Sequence, residues 1–352
     1  MNIALTYDLK DDYLARGYSS EAAAEFDSRE TIDALAAVIV AQGHTVARIG
    51  NQQALLAALH AGIRPDLVFN LCEGEKGVGR EALVPALLEA YGIPCVFSDS
   101  AVMALSMHKG LCKLAVRGLG VPTADFTVVE ALAQLEGLPG KDAIEGFPHA
   151  MPLAFPIFAK PLAEGTSKGI SGSSRIESLE ALHQVCGAIL AQYQQPVLLE
   201  SFLPGREFTV GIVGTGAQAQ VVGAMEIVYQ DEAAGGIYSY VSKCVENERW
   251  IRYEAAEFPV RQQLDQLALK IWRGLGCRDG GRLDFRMDAQ GTLHFLEINP
   301  LAGLNPDYGD LPILGRLHGW RYEALVKAIL GSAIARVAGH AGLSEDLAGV
   351  NT

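Results

Sequence analysis

Strand and helix signals alternate through the first hundred residues, and this alternation limits the fold more than any other feature of the chain. Met1–Tyr7 is an apolar strand, Ser28–Gln42 has helical spacing and stops at Gly43, Thr45–Ile49 is β-branched, and Asp66–Leu71 is a buried strand after Pro65. Glu81–Tyr91 is a further helix stopped by Gly92, and Ile93–Phe97 is a fourth strand. Such βαβ alternation implies a parallel sheet covered by helices, here one α/β domain over residues 1–100. The N-terminus lacks a cationic region followed by an apolar stretch and a cleavage site, so a cytoplasmic protein is expected. The longest apolar stretch, Ala34–Ala41, falls far short of the roughly 20 residues that span a bilayer, so no membrane partner is expected.

The remaining 252 of the 352 residues read differently. Ala101–Val121 is helical and is broken by Gly120-Val-Pro122, after which the Pro/Gly-rich stretch Gly137–Pro156 reads as a loop. Short strands follow at Pro156–Pro161, Val197–Glu200 and Glu207–Val213, with a helix at Ser178–Gln192. Strands around Gln220–Tyr229 and Lys243–Val245, a helix Val260–Leu275, a hairpin Gly281–Asn299 and a helix Tyr322–Gly331 complete the pattern. The expected division is two α+β lobes, 101–202 and 203–339, and a tail, 340–352. An apolar fraction of 49% supports a sizeable core, and 28 Lys+Arg against 41 Asp+Glu give a net charge of −13. That balance argues against a nucleic-acid partner, because phosphate backbones need clustered cations, and any polyphosphate must be met locally. Six cysteines without a Cys-x-x-Cys pair suit free thiols and no structural metal.

Three segments carry chemistry. In Gly281-Arg-Leu-Asp-Phe-Arg286 and Leu293-His-Phe-Leu-Glu-Ile-Asn-Pro300, the turn around Asp288 and Gly291 pairs two antiparallel strands. Period-two alternation groups Arg282 and Asp284 on one face and Glu297 and Asn299 on the partner strand. A register centred on the turn sets Glu297 nearly opposite Arg282 and diagonal to Asp284. Two carboxylates and an amide oxygen suit Mg²⁺, which keeps several waters and completes its shell with substrate phosphates. The alternative is a surface hairpin whose charges face water. The second segment ends a buried strand on Lys160 and continues as Ala163-Glu-Gly-Thr-Ser-Lys-Gly169, offering an ammonium and free backbone N–H groups to phosphate, or else a flexible hairpin. Gly214-Thr-Gly-Ala-Gln-Ala219 imitates a dinucleotide fingerprint but precedes a strand, so it reads as a hairpin turn. The third, Glu200-Ser-Phe-Leu-Pro-Gly-Arg-Glu207, places two acids around an apolar linker able to hold a flat heterocycle; taken alone, solvated strand ends describe it equally.

Taken together these segments resemble the ATP-grasp superfamily and its D-alanine–D-alanine ligase branch. The likeness covers about residues 65–331 and includes Leu87-Leu-Glu-Ala-Tyr-Gly-Ile-Pro94, Ala104-Leu-Ser-Met-His-Lys109, Phe158-Ala-Lys-Pro161, Gly205-Arg-Glu-Phe-Thr-Val210, Arg282-Leu-Asp-Phe285 and Leu296-Glu-Ile-Asn299. The resemblance implies ATP clasped between two α+β lobes, transfer of its γ-phosphate to a carboxylate, and attack of an amine on the acyl phosphate, giving an amide, ADP and phosphate. By position it implies that Lys109, Lys160 and Lys243 meet nucleotide phosphates, with Glu164, Gly165, Thr166 and Ser167 in the phosphate loop. Glu200 and Glu207 match the adenine and ribose contacts, and Asp284, Glu297 and Asn299 the Mg²⁺ ligands. Arg282 and the Gly303 N–H match the oxyanion donors. A homodimer through the N-terminal domain is usual for the resembled family.

The departures fall on the substrate side. Where the ligases carry Gly-Gly-x-Ser-x-Glu to hold the first D-alanine's ammonium, this chain has Tyr7-Asp-Leu-Lys-Asp-Asp-Tyr13. Glu73 stands for the family's histidine in its Leu-His-Gly turn, Cys244 for a tyrosine after the third lysine, and Thr166 for that tyrosine's serine partner. The expected serine for the second substrate's carboxylate falls near Tyr308 or Gly309. Glu73, Arg80, Cys244, Asn305 and Tyr308 are therefore the candidate substrate contacts, with Glu73 able to pair with Arg80 in a loop. The expected function is an ATP-dependent ligase of small, amino-acid-like carboxylate and amine substrates with a pair other than D-alanine. The alternatives are a catalytically silent nucleotide-binding regulator or scaffold, and activation of a vinylogous acid or enol.

Overall fold

The computed structural model describes residues 1–136, 143–144, 153–229 and 251–349. Its first sheet is parallel, in the order β2-β1-β3-β4, from β1 (Asn2–Tyr7), β2 (Thr45–Gly50), β3 (Leu67–Leu71) and β4 (Cys95–Val96). All of β3 is buried, as a parallel strand covered on both faces requires. The short helix α1 (Lys10–Ala15) follows β1, and α2 (Arg29–Ala41) packs Ile32, Leu35 and Ile39 against Ile3, Leu5 and Phe69. On the other face α3 (Gln52–His60) and α4 (Leu83–Ala90) bring Leu55, Leu59 and Leu88 onto Ala4 and Val68. The side-chain oxygens of Ser28 and Asn51 accept the Thr31 and Ala54 N–H groups, and so start α2 and α3.

The helical run expected over Ala101–Val121 is two helices, α5 (Ser100–Met107) and α6 (Lys109–Gly118). His108 leaves helical geometry between them, and its Nδ1 accepts the Leu111 N–H at 3.2 Å, so an imidazole caps α6 and aims Lys109 from its first turn.

A second sheet has the order β5-β10-β8-β9, from β5 (Phe126–Val129), β8 (Ile157–Pro161), β9 (Arg175–Ile176) and β10 (Val197–Ser201), and the short pair β6 (Ala143–Ile144) and β7 (Leu153–Ala154) lies beside it. Alternation sends Ile157, Ala159, Val197 and Leu199 into a core shared with α7 (Leu179–Tyr193). Lys160 and Glu200 therefore occupy the opposite face. The third sheet, β13-β12-β11-β14-β15, is antiparallel and comprises β11 (Glu207–Val213), β12 (Gln220–Tyr229), β13 (Ile251–Ala255), β14 (Gly280–Met287) and β15 (Leu293–Asn299). Phe208, Val210, Leu283 and Phe285 pack on α8 (Val260–Leu275), which leaves Glu207, Thr209, Arg282 and Asp284 on the face turned to the second sheet. The Gly214–Ala219 segment joins β11 to β12 as the expected hairpin turn.

The β14–β15 register corrects the expected one. Phe285 pairs with Phe295, but beyond a bulge Asp284 faces Glu297 and Arg282 faces Asn299. Leu296 is the extra residue; were it paired regularly instead of bulged, Asp284 would face Leu296 and Glu297 would turn to the core. After α9 (Asp310–Leu317), α10 runs Tyr322–Gly349, past the end expected at Gly331. One glycine costs a helix about 1 kcal/mol, and burial of Leu325, Val326, Ile329, Leu330 and Ala333 outweighs it. The strand expected at Lys243–Val245, most of the loop expected over Gly137–Pro156, and the candidates Lys243 and Cys244 lie outside the described residues. The other five cysteines are free thiols, and among the described residues no helix is long and apolar enough to cross a membrane.

Candidate active site

The polar faces of the second and third sheets look at each other across a cavity of about 830 Å³, its open mouth included. Its apolar walls are Ala124, Phe158, Ile170, Phe202, Leu203, Ile227 and Leu296, and its charged groups are Lys160, Glu200, Glu207, Arg282, Asp284, Arg286 and Glu297. An apolar slot ending in charge suits a flat base at one end and phosphates at the other.

Glu200 is buried between two ammonium groups, with Lys113 Nζ at 2.6 Å from one carboxylate oxygen and Lys160 Nζ at 2.8 Å from the other. Burial pushes its pKa up, but the two lysines outweigh burial and hold it at about 2. Glu207 accepts from Tyr229 Oη at 2.8 Å and Arg286 Nη1 at 2.9 Å. Lys109 donates to the Glu164 carbonyl at 2.6 Å, and its ammonium lies 3.5 Å from Glu297 Oε2. Thr166 and Ser167 line the cavity at φ +49° and +55°, the left-handed region, so the loop turns sharply towards the space it encloses.

Asp284 and Glu297 stand opposite each other. Thr209 Oγ1 donates to Asp284 at 2.8 Å, Asn299 Nδ2 donates to it at 3.3 Å, and the Arg282 guanidinium is ion-paired with it. Arg282 also reaches Asp310 at 3.5 Å. Burial and the facing Glu297 push the Asp284 pKa up to about 6 against the pull of Arg282. Two opposed carboxylates half out of water, with an amide alongside, form a site whose charge calls for a hard cation.

A second cavity lies on the far side of the 163–168 loop. There Glu25 accepts from the Gly165 N–H at 2.7 Å, Lys168 Nζ at 2.7 Å and both Arg80 Nη2 contacts at 2.9 and 3.1 Å. A Cβ on residue 165 would lie 2.4 Å from that carboxylate, so any larger residue here would have to displace Glu25 from its donors. Burial raises the Glu25 pKa, Arg80 and Lys168 lower it more, and the balance is about 2. Arg80 thus pairs with Glu25 and not with Glu73, because Glu25 reaches it bidentately and its other Nη donates to the Ala163 carbonyl at 2.6 Å. Glu164 points into this second cavity, where Lys168 lies 2.6 Å from it and Gln195 donates to it at 2.6 Å. Glu73 is half-buried, its pKa pushed well up by burial and by Glu81, while Glu81 is raised to about 7.

Homology now decides the reading. A family model described as "D-ala D-ala ligase C-terminus" matches residues 115–331. The D-alanine–D-alanine ligase of Sinorhizobium fredii is 31% identical over 296 residues, 83% of this chain and 88% of that one. That of Bordetella petrii is 30% identical, covering 77% of each. The chain belongs to the D-alanine–D-alanine ligase family. Among solved structures, the Bacillus anthracis D-alanine–D-alanine ligase complexed with ATP superposes with a TM-score of 0.67 at 16% identity, covering 97% of this chain and 99% of that one. The VanG D-Ala:D-Ser ligase of Enterococcus faecalis does so at 0.69 and 17%, over 94% and 99%. Both show the ATP-grasp fold.

As a member of this family the protein is an ATP-grasp ligase, C–N bond forming and ADP forming, that uses ATP and Mg²⁺ with amino-acid-like substrates. No comparison supports a catalytically silent relative. The Asp284, Glu297 and Asn299 donor set fits Mg²⁺, since all three offer oxygen and the cavity leaves room for phosphate oxygens. Of the expected residues, Lys109, Glu164, Gly165, Asn299, Glu73, Arg80, Gly303, Asn305 and Tyr308 are not in the lining of this cavity. Gly303 is exposed in the loop after β15, Tyr308 is 61% exposed, and Asn305 spends its amide on Thr31, Ser28 and the N–H groups of Asp307 and Tyr308. Sequence reading passed over Lys113, Thr209, Arg286, Glu25 and Asp27. Lys113 had a signal, being one helical turn from Lys109, and Arg286 and Thr209 share a strand face with Asp284 and Glu207. Glu25 and Asp27 had none, since they come from an irregular segment.

Proposed function

We propose that this ligase joins a carboxylate and an amine other than two D-alanines. The observation that carries the reading is the crevice at the carboxyl ends of β1 and β3. Where the family's ammonium-holding segment is expected, Asp8 accepts from Tyr13 Oη at 2.5 Å and from the Gly74 N–H at 2.9 Å. Asp27, Glu73 and Glu81 gather around it, so the recognition chemistry on the amino-acid side differs from the family's pattern. Glu73 and Arg80 are the substrate contacts we retain, with Cys244; Asn305 and Tyr308 shape the neighbouring loop.

In the proposed reaction a substrate carboxylate oxygen attacks the γ-phosphorus, and the bond to the β-bridging oxygen breaks to release ADP. Lys109 and Lys160 lie where phosphate oxygens would gather, with Thr166 and Ser167 closing over them. Asp284, Glu297 and Asn299 would hold the Mg²⁺, which neutralises charge on the transferring phosphoryl group. The amine then attacks the acyl carbon, Arg282 stabilises the oxyanion of the tetrahedral intermediate with the Gly303 N–H as second donor, phosphate leaves, and the amine's extra proton passes to solvent. We place the reaction in the cytosol and infer a homodimer through the N-terminal domain.

The test incubates protein, ATP and Mg²⁺ with pooled amino acids and small carboxylates and reads nucleotides and new masses by mass spectrometry. ADP with a product equal to two substrates minus water is expected, and D-alanine alone yields none. Formation of the D-alanine dipeptide at a rate matching the best pair would overturn the substrate assignment.

A further inference from the structure

We infer that Lys113 is a positioning residue: it locks the two lobes around the nucleotide and holds the metal-binding face in register. The inference rests on the ligase reading above. Lys113 is wholly buried and does not line the nucleotide cavity, so its ammonium must be satisfied within the protein and cannot touch the substrate. It has two strong partners, the Glu200 carboxylate at 2.6 Å and the Phe295 carbonyl at 3.2 Å, with the Phe295 ring centroid 5.8 Å away. Glu200 belongs to the second sheet and Phe295 to the third, so one side chain of α6 ties together the sheets on either side of the cavity.

The place on β15 matters most. This strand is the outer edge of its sheet, and at Phe295 both outward backbone groups are taken, the N–H by the Pro122 carbonyl at 2.8 Å and the carbonyl by Lys113. The next residue, Leu296, is the bulge that turns Glu297 towards Asp284. A slip of the bulge by one residue would send every following side chain to the other face, and a pin on the backbone beside it opposes that slip. Lys113 and Pro122 supply that pin. A continuous chain of charge-assisted bonds, Lys160 to Glu200 to Lys113 to Phe295, thus links the phosphate lysine to the backbone two residues before the metal carboxylate.

The test measures Mn²⁺ binding at saturating ADP by electron paramagnetic resonance in wild type, Lys113→Met and Glu200→Gln. Lys113→Met keeps the length and loses both bonds; Glu200→Gln loses the ion pair but leaves the bond to Phe295. Lys113→Met is expected to weaken Mn²⁺ binding about 10–100-fold, the loss seen when a group that orients a metal ligand is removed, while Glu200→Gln weakens ADP binding and leaves Mn²⁺ affinity within about twofold of wild type. A purely structural role lowers the melting temperature of Lys113→Met without moving its Mn²⁺ affinity, and that result would overturn the inference. So would an equal loss in both variants. Should Lys113→Met fail to give a native circular-dichroism spectrum, Lys113→Leu, which likewise lacks a donor to the Phe295 carbonyl, replaces it under the same criteria. Absence of Mn²⁺ binding in wild type would instead defeat the metal assignment of the ligase reading.

Discussion

Asp27 shows how far a single carboxyl can depart from its ordinary behaviour. Burial, and then the charge of Asp8, push its pKa up to about 8. A carboxyl raised in the folded state holds a proton that the unfolded chain has released, so its contribution is complete below pH 4 and is lost as pH rises towards 8. We expect the melting temperature to fall between pH 4 and 8, and Asp27→Asn to flatten that slope and give a higher melting temperature than wild type at pH 8; a slope unchanged in the variant would place the titration elsewhere. Glu297 is governed by its facing partner. Glu297→Gln leaves the backbone and most contacts intact but halves the anionic charge offered to the cation, so turnover should fall by at least about 100-fold, with the unfolding midpoint in urea nearly unchanged. Activity within a few-fold of wild type would remove Glu297 from the metal site.

Among the elements, the bulged strand β15 separates two causes that the wild type combines. Glu297 faces Asp284 because Leu296 is extra, yet a ladder with Leu296 deleted also sets the glutamate opposite Asp284, since the residue count then matches a regular hairpin. Deletion of Leu296 should therefore retain ADP formation, with the KM for ATP raised about tenfold by the loss of one half-buried apolar wall. Complete loss of activity would mean that the bulge geometry itself, and not the pairing it produces, positions the carboxylate.

For the whole molecule, a single buried carboxylate joins the N-terminal sheet to the C-terminal lobe. Asp279 is fully buried at φ +65° and accepts from the Phe97 N–H, Ser332, Thr215 and Arg336 Nη2 at 2.7–3.1 Å. Its partners come from the end of the parallel sheet, the β11–β12 turn and α10. Removing one partner of a buried charge pair costs about 3–5 kcal/mol, so Asp279→Ala should lower the unfolding free energy measured in urea by that amount while leaving the Mn²⁺ affinity of the folded fraction unchanged. A smaller shift would show that packing alone seats the N-terminal domain.

The sequence by itself determined the elements and their chemistry. Period-two and helical spacing marked β1, β3, β8, β10, β11, β14, β15 and most helices, and the same alternation grouped Arg282 with Asp284 on one face and Glu297 with Asn299 on the partner strand. These are local properties, written in neighbouring residues, and a resemblance spread over several in-order segments was legible for the same reason. Tertiary structure alone decided the pairings. Which residue faces Glu297 depends on a bulge that no periodicity marks. Arg80 chose Glu25 over Glu73 because a segment 55 positions away in the chain comes back to it. Lys113 became a link between lobes only when α6 was laid across the ends of two sheets. A buried ion is satisfied by whichever partner the packing brings within hydrogen-bond reach, and that distance is set by the assembled sheets, not by separation along the chain.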